Sequence, residues 1–173
     1  GVQGDTPLLW CALAPYSGTM RQVLLRQRPQ PQPALVQALA TALHGCCGSV
    51  LPSTALVPIP SWKRRANPLP LLLARGLVRA ATGRCHLAMD LLHRSRVTVG
   101  QHHLNRQQRL GNQANAFRCT SPGRGAIWLV DDILTTGSTA EAAAAALQAR
   151  GWAVQGLLCL ARTPPRRPWR SPS

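Results

Sequence analysis

Acidic residues are the scarcest charged class in this sequence of 173 residues. Five Asp and Glu residues stand against 20 Lys and Arg residues, which gives a formal net charge of +15. Lys63 is the single lysine, so arginine supplies nearly all of the positive charge. Because the planar guanidinium group matches the geometry of phosphate, this composition favours phosphorylated ligands or nucleic acid as partners. A basic surface that keeps the protein soluble would explain the same charge, and composition alone does not decide between the two interpretations.

Long hydrophobic runs and paired cysteine motifs are also missing. No apolar run approaches the roughly 18 residues that a membrane-spanning helix needs, and no signal-peptide pattern opens the chain. The six cysteines form no CxxC pair and show neither the spacing of a disulfide framework nor that of a zinc site. We therefore expect a cytoplasmic protein with reduced thiols, no membrane span, no zinc and no metal ligands among its Cys and His residues.

The remaining pattern alternates apolar strands with helices. Aromatic residues make up only 4% of the chain, so the core is expected to be aliphatic. Apolar periodicity and stop signals predict helices within 14–28 and at 34–43, 69–82 and 138–151, and strands at 54–60, 126–130 and 152–162. This order predicts an α/β fold with a mostly parallel, Rossmann-like sheet flanked by helices. We expect an irregular N-terminal segment (1–15), one domain (16–163) and a disordered Pro- and Arg-rich tail (164–173).

Two of the five acids are adjacent, in the stretch WLVDDILTTGST (128–139). Asp131 and Asp132 follow a predicted buried strand, and in open α/β sheets ligands bind beyond the carboxyl ends of the strands. Carboxylates accept hydrogen bonds from sugar hydroxyls and can bind Mg²⁺. A solvated strand end or a helix-capping pair is the simpler alternative.

A loop rich in hydroxyl groups connects the acidic pair to the following helix. Backbone N–H groups and the helix dipole at a helix N-terminus favour an anion, and a glycine lets the backbone approach it closely. Hydroxyl donors surround that glycine, and Ser138 or Thr139 is also expected to cap the helix. The loop residues that we expect to bind a phosphate are Thr135, Thr136, Gly137, Ser138 and Thr139. Next to two carboxylates, this loop predicts a site for a ribose 5-phosphate.

At this point the sequence resembles the type I phosphoribosyltransferases. WLVDDILTTGST is similar to their phosphoribosyl-diphosphate (PRPP) signature, and further stretches resemble the ComF-like branch, a family named for bacterial competence proteins. These stretches are YSGTMRQVLL (16–25), LVPIPSWKRRANPLPLLLARGL (56–77) and RSRVTVGQHHLNRQQRLGNQANAF (94–117). ComF-like proteins often begin with a zinc ribbon, which is not seen here. The sequence is therefore expected to be a short form or a trimmed chain.

The resemblance implies a role for each matching position. Asp131 and Asp132 would bind the ribose hydroxyls, and residues 135–139 would bind the 5-phosphate. The diphosphate side would lie after the strand at 54–60 and include Pro60, Ser61, Lys63, Arg64 and Arg65. A flexible lid loop over 94–112 would contribute Arg94, Arg96, Gln101, Arg109 and Asn112. A solvated basic face or a nucleic-acid patch is an open alternative for this Arg-rich segment.

The implied function is PRPP binding with Mg²⁺, held by the ligand and by Asp131 and Asp132, and transfer of the phosphoribosyl group to a nitrogenous base. No residue stands out as a catalytic acid or base. The rival is a non-enzymatic DNA-uptake factor that binds single-stranded DNA, which the net charge and the ComF resemblance both suit. The acceptor base and any homo-oligomeric state stay open.

Overall fold

A computed structural model describes residues 1–47, 54–61, 67–95 and 116–164. Within these ranges the strands are β1 (Val2–Gly4), β2 (Trp10–Pro15), β3 (Thr54–Pro58), β4 (Cys85–Leu87), β5 (Leu92–Arg94), β6 (Phe117–Cys119), β7 (Ala126–Leu134) and β8 (Ala153–Arg162). The helices are α1 (Gly18–Gln27), α2 (Pro33–Cys47), α3 (Leu69–Ala80) and α4 (Ser138–Gln148). None of these helices is long and apolar enough to cross a membrane.

Six strands form one sheet in the order β1-β2-β8-β7-β3-β4. Every neighbouring pair is parallel except β1 and β2, which are antiparallel. Strands β7 and β8 are parallel neighbours joined through α4, as a crossover unit requires. The predicted α/β class, with a mostly parallel sheet flanked by helices, is confirmed.

Side chains of the central strands alternate between two aliphatic clusters, one on each face of the sheet. On β7, Trp128 and Val130 pack in the cluster that contains side chains of α1, α2 and α3. Ile127 and Leu129 pack in the other cluster, with side chains of α4 and of the β5–β6 hairpin. Adjacent residues of a strand therefore point to opposite layers, which matters for the acidic pair at the end of β7.

The N-terminal segment differs from the prediction. Residues 1–15 were expected to be irregular, but they contain β1 and β2, and β2 is paired with β8 inside the sheet. The sequence pattern was weak because Pro7 interrupts the segment and β1 is only three residues long. The β5–β6 hairpin was not predicted either, since each of its strands has three residues.

The expectation that all thiols are reduced is also wrong. Cys11 on β2 and Cys47 at the end of α2 form a disulfide, with their Cα atoms 6.5 Å apart and both side chains buried. The two cysteines are 36 positions apart, so only the packing of α2 against β2 brings them together. The other four, Cys46, Cys85, Cys119 and Cys159, form no disulfide.

Candidate functional site

The acidic pair lies inside β7, not beyond its end. The strand was predicted to stop at Val130, but it continues to Leu134 because β8 runs alongside it, with Asp131 opposite Cys159 and Ile133 opposite Ala161. The two carboxylates therefore follow the alternation of the strand. Asp132 faces the layer formed by α1, α2 and α3, and Asp131 faces the opposite layer.

Asp132 is buried and accepts hydrogen bonds from two side chains that lie next to α1 and α3. Arg28, the C-terminal capping residue of α1, donates from Nε to Oδ2 at 2.6 Å and from Nη2 to Oδ1 at 3.0 Å. Asn67, just before α3, donates from Nδ2 to Oδ2 at 2.7 Å. Asp132 is 3% exposed, and its hydrogen bond raises the pKa of Arg28. Both carboxylate oxygens are thus occupied by charge-assisted hydrogen bonds.

Asp131 has a different environment, although it is the adjacent residue. Its Oδ1 accepts the backbone N–H of Asp132 at 2.8 Å. Burial, with the negative charge of Asp132 as the second cause, raises the pKa of Asp131 to about 8. Arg28 opposes this shift, but its guanidinium is engaged by Asp132. Asp131 therefore carries a proton near neutral pH in the free protein, while Asp132 is an ion-paired carboxylate.

The loop after β7 has a left-handed glycine at the N-terminus of α4. Gly137 is the capping position, with a φ of 92°, and has no side chain to cap the helix, while the backbone N–H of Ser138 donates to Oγ1 of Thr136 at 3.4 Å. The expected caps are thus corrected: Thr136 and Ser138 hydrogen-bond each other at 3.0 Å between their hydroxyl oxygens. The first N–H groups of α4 have no carbonyl partner within the helix, which leaves donors for an anion.

Two residues from other parts of the chain support this loop. Arg162, at the end of β8, donates from Nη1 to the backbone carbonyls of Leu134 and Thr135. Pro7 packs against Gly137 so closely that a methyl group on Gly137 would overlap the proline ring. We call residues 135–139 together with Arg162 the loop rim.

The opposite side of the acidic pair carries two arginines and an amide. Arg94 at the end of β5 donates from Nε to the carbonyl oxygen of Pro60 at 2.8 Å, and its guanidinium carbon lies 4.5 Å from the centre of the Phe117 ring. Burial lowers the pKa of Arg94, and the charge of Asp131 partly offsets this effect. We call Arg28, Asn67 and Arg94 the arginine rim.

The two rims border one cleft of about 230 Å³. Of the residues predicted from sequence, the cleft brings together Pro60, Ser61, Arg94, Asp131, Asp132, Thr135 and Thr139. Thr136, Gly137 and Ser138 belong to the same loop but do not line the cleft. The other predicted residues, Lys63, Arg64, Arg65, Arg96, Gln101, Arg109 and Asn112, lie outside the described residues, as does the tail from 165 to 173. The lid therefore stays a prediction.

Arg28 and Arg162 are site residues that sequence reasoning missed. Arg28 lies within the sequence RQRPQPQP, where no sequence feature distinguishes it from the nearby Arg26. Arg162 closes an apolar strand, a position that could have been noted because strand ends carry the sites of α/β sheets. In the described ranges, no three His, Cys, Asp or Glu residues are grouped so that they could hold a metal ion by themselves.

Comparison with known proteins now identifies relatives. The chain is 34% identical over 161 residues to the DNA utilization protein YhgH of Escherichia coli K12, covering 86% of this chain and 68% of that protein. The chain belongs to the YhgH family. YhgH of Shigella flexneri and YhgH of Salmonella typhi are each 33% identical to it over the same shares of the two chains. No family model matches the sequence.

Several solved structures resemble the fold at low sequence identity. A hypoxanthine phosphoribosyltransferase from Staphylococcus aureus has a TM-score of 0.45 and 14% identity, covering 87% of this chain and 77% of that one. An adenine phosphoribosyltransferase from Leishmania tarentolae has a TM-score of 0.43 and 14% identity, covering 89% and 90%. An allosteric regulatory enzyme of purine biosynthesis has a TM-score of 0.47 and 17% identity, and this chain spans a quarter of its length (72% and 25% coverage).

Proposed function

We propose that the cleft binds PRPP with Mg²⁺ and that the protein transfers the phosphoribosyl group to a nitrogenous base. One observation carries the proposal: an acidic pair at the carboxyl end of β7 lies between two rims that both offer anion-binding donors. A ligand with anionic groups at both ends and hydroxyl groups between them suits this arrangement, and PRPP has that form.

The loop rim suits the 5-phosphate. Thr135 and Thr139 line the cleft, and the left-handed Gly137 turns the backbone into α4, whose N-terminal N–H groups favour an anion. Arg162 donates to the carbonyls of Leu134 and Thr135 and so holds the loop in position beside the cleft. The helix dipole adds a favourable field for a negative group.

Asp131 suits the ribose hydroxyls and one position on a metal ion. Both oxygens of Asp132 accept hydrogen bonds from Arg28 and Asn67, whereas Asp131 uses one oxygen for a backbone N–H and lines the cleft. One free carboxylate oxygen fits a Mg²⁺ ion that is carried by the ligand's own phosphates, as hard oxygen ligands do. Bound there, the ion would neutralise charge on the diphosphate.

The arginine rim suits the leaving group. In the transfer, the bond from the ribose C1 to the diphosphate oxygen breaks and a bond from C1 to the nitrogen of the base forms, with the proton of the nitrogen released. Positive charge develops at C1, and negative charge accumulates on the diphosphate. Arg94, fixed by the carbonyl of Pro60, stands on this side of the cleft, where a preorganised cation stabilises that charge.

Titration calorimetry of PRPP with Mg²⁺ tests the proposal. The wild type is expected to bind, and the double variant Asp131→Asn/Asp132→Asn is expected to lose binding, with Asp5→Asn/Asp90→Asn as a control that replaces two aspartates away from the cleft. Release of diphosphate in the presence of candidate bases then reports transfer. A folded wild type that does not bind PRPP would contradict the proposal.

Single-stranded DNA binding is the second candidate, and two observations favour it. The relatives are named DNA utilization proteins, and no acidic residue occurs between Asp5 and Asp90. Several arginines of this stretch are exposed on α1 and α3, namely Arg21, Arg26, Arg75 and Arg79. Binding through phosphate contacts weakens steeply with salt, so fluorescence anisotropy of a labelled oligonucleotide at increasing salt tests this role. Absence of binding at low salt would contradict it.

A further inference from the structure

Arg28 is the one residue of the cleft that comes from the segment between α1 and α2. Its guanidinium meets Asp132 through Nε and Nη2, which is the fork geometry of a bidentate ion pair. The Arg28 side chain is 40% exposed while that of Asp132 is 4% exposed, so one face of the pair is open to the cleft. The ion pair therefore fixes the arginine without covering it.

The fork leaves donors of Arg28 available. Guanidinium has five N–H groups, and the two contacts with Asp132 use one on Nε and one on Nη2. Nη1 makes no hydrogen bond to any residue in the described parts of the chain. An anion that met these remaining donors would find the side chain already immobilised, so little rotamer entropy would be lost on binding.

The contacts that hold Arg28 differ from those that hold the loop rim. Arg28 and Asn67 share Oδ2 of Asp132, and Asn67 lies two residues before the start of α3. Arg162 and the loop lie where β7 and β8 end. Arg28 and Asn67 therefore reach the acidic pair through Asp132, whereas Arg162 reaches the loop through its backbone carbonyls.

We propose that Arg28 is the residue that makes the cleft select a phosphoribosyl ligand with a diphosphate at C1 over one with a free C1 hydroxyl. This inference rests on the proposed function of the cleft. Asp132 holds the guanidinium in place, and the remaining N–H groups bind diphosphate oxygens. Asp132 is then a positioning residue for Arg28.

The test compares PRPP with ribose 5-phosphate, each with Mg²⁺, by titration calorimetry. For Arg28→Gln, the preference for PRPP over ribose 5-phosphate is expected to fall about tenfold or more, as for the loss of a charge-assisted contact. Arg28→Lys keeps a charge but not the fork, and is expected to retain an intermediate preference. Arg26→Gln is the matched control, because Arg26 is exposed on the same helix and does not line the cleft, and its preference is expected to equal that of the wild type.

Each outcome decides a different question. If Arg28→Gln weakens both ligands equally, Arg28 only positions Asp132 and the inference is wrong. If both ligands bind more tightly, Arg28 blocks the cleft, which also overturns it. If the wild type binds neither ligand, the proposed function itself fails, whereas an unchanged preference in a variant that binds both overturns the role of Arg28 alone. Circular dichroism melts establish that each variant is folded before titration.

Discussion

The loop rim and the arginine rim border the same cleft, but they are built in opposite ways. Five consecutive residues make up most of the loop rim, and they belong to one strand–loop–helix unit. Arg28, Asn67 and Arg94 of the arginine rim come from three segments separated by 39 and 27 positions in the sequence. A site built from consecutive residues can be recognised in the sequence, because the spacing of these residues along the chain determines their positions in space. An assembled site becomes visible only once the sheet has brought its segments together.

The two rims also differ in the forces that hold them. The loop rim depends on a backbone conformation and on close packing, since Gly137 has a positive φ and lies against Pro7. The arginine rim depends on hydrogen bonds to charged groups, above all those of Arg28 and Asn67 to Asp132. Substitutions should therefore damage the first rim through sterics and the second through electrostatics.

The largest effect is expected from breaking the loop rim with Gly137→Ala. The methyl group would overlap Pro7, and a left-handed conformation is strained for alanine, so we expect a loss of roughly 1–3 kcal/mol in the free energy of unfolding. Phosphate binding should be lost as well. Gly83→Ala is the control, because Gly83 also has a positive φ but a methyl group there meets no atom within 4 Å. Equal losses for the two variants in urea unfolding would show that contact with Pro7 contributes nothing.

The next effect comes from breaking the arginine rim with Asp132→Asn. Loss of the charged acceptor removes the ion pair with Arg28. We expect the free energy of unfolding to fall by about 1–2 kcal/mol, a modest loss because the arginine is partly exposed to solvent. Asp131→Asn, measured at pH 5, should change the free energy of unfolding by less than about 0.5 kcal/mol, because that carboxyl is already protonated. Similar losses at both positions would mean that the adjacent acids are not held differently.

A smaller effect that distinguishes the two acids is the pH dependence of the free energy of unfolding. The folded protein holds the pKa of Asp131 at about 8, far above the 3.8 of an ordinary aspartate, so between these values the folded state binds a proton that the unfolded state lacks. The contribution of this group to stability is therefore full at low pH and falls as the pH rises towards 8. Each pH unit in this window costs at most about 1.4 kcal/mol.

Urea unfolding of the ligand-free protein at pH 5 and pH 8, with EDTA present, measures this pH dependence. The wild type should lose more stability than Asp131→Asn over that interval. Asp90→Asn, which removes an exposed carboxylate, should behave like the wild type. If Asp131→Asn shows the same slope as the wild type, another group is responsible.

Much of the fold followed from local patterns, and the errors have physical causes. Helices α3 and α4 and strands β3 and β8 lie close to their predicted positions because their apolar residues and stop signals lie close together in the sequence. Strand β7 was predicted four residues too short, because the two aspartates were interpreted as the end of the strand. In the structure, β7 continues past them because it pairs with β8 as far as Leu134. The disulfide between Cys11 and Cys47 depends on packing between distant elements, which no spacing encodes.

The candidate site divides along the same line. Asp131, Asp132, Thr135 and Thr139 were predicted from one motif, and the structure places them in one cleft. That the two acids have unlike partners could not be predicted, because the alternation of β7 sends Asp132 towards Arg28 and leaves Asp131 on the other side. The strand was predicted to end at Val130, so its alternation was not applied to the two acids, and the partners of Asp132 come from distant segments.

The pairing of β2 with β8 has a practical consequence for anyone who shortens this chain. A fragment that started at Tyr16 would look sensible, since the motif-bearing region begins there, but it would strip β2 away from β8. Strand β8 would then be a long sheet edge with open backbone groups and apolar residues from Leu157 to Ala161, a template for edge-to-edge aggregation. Insolubility of such a fragment would reflect the missing neighbour strand and would say nothing about the cleft.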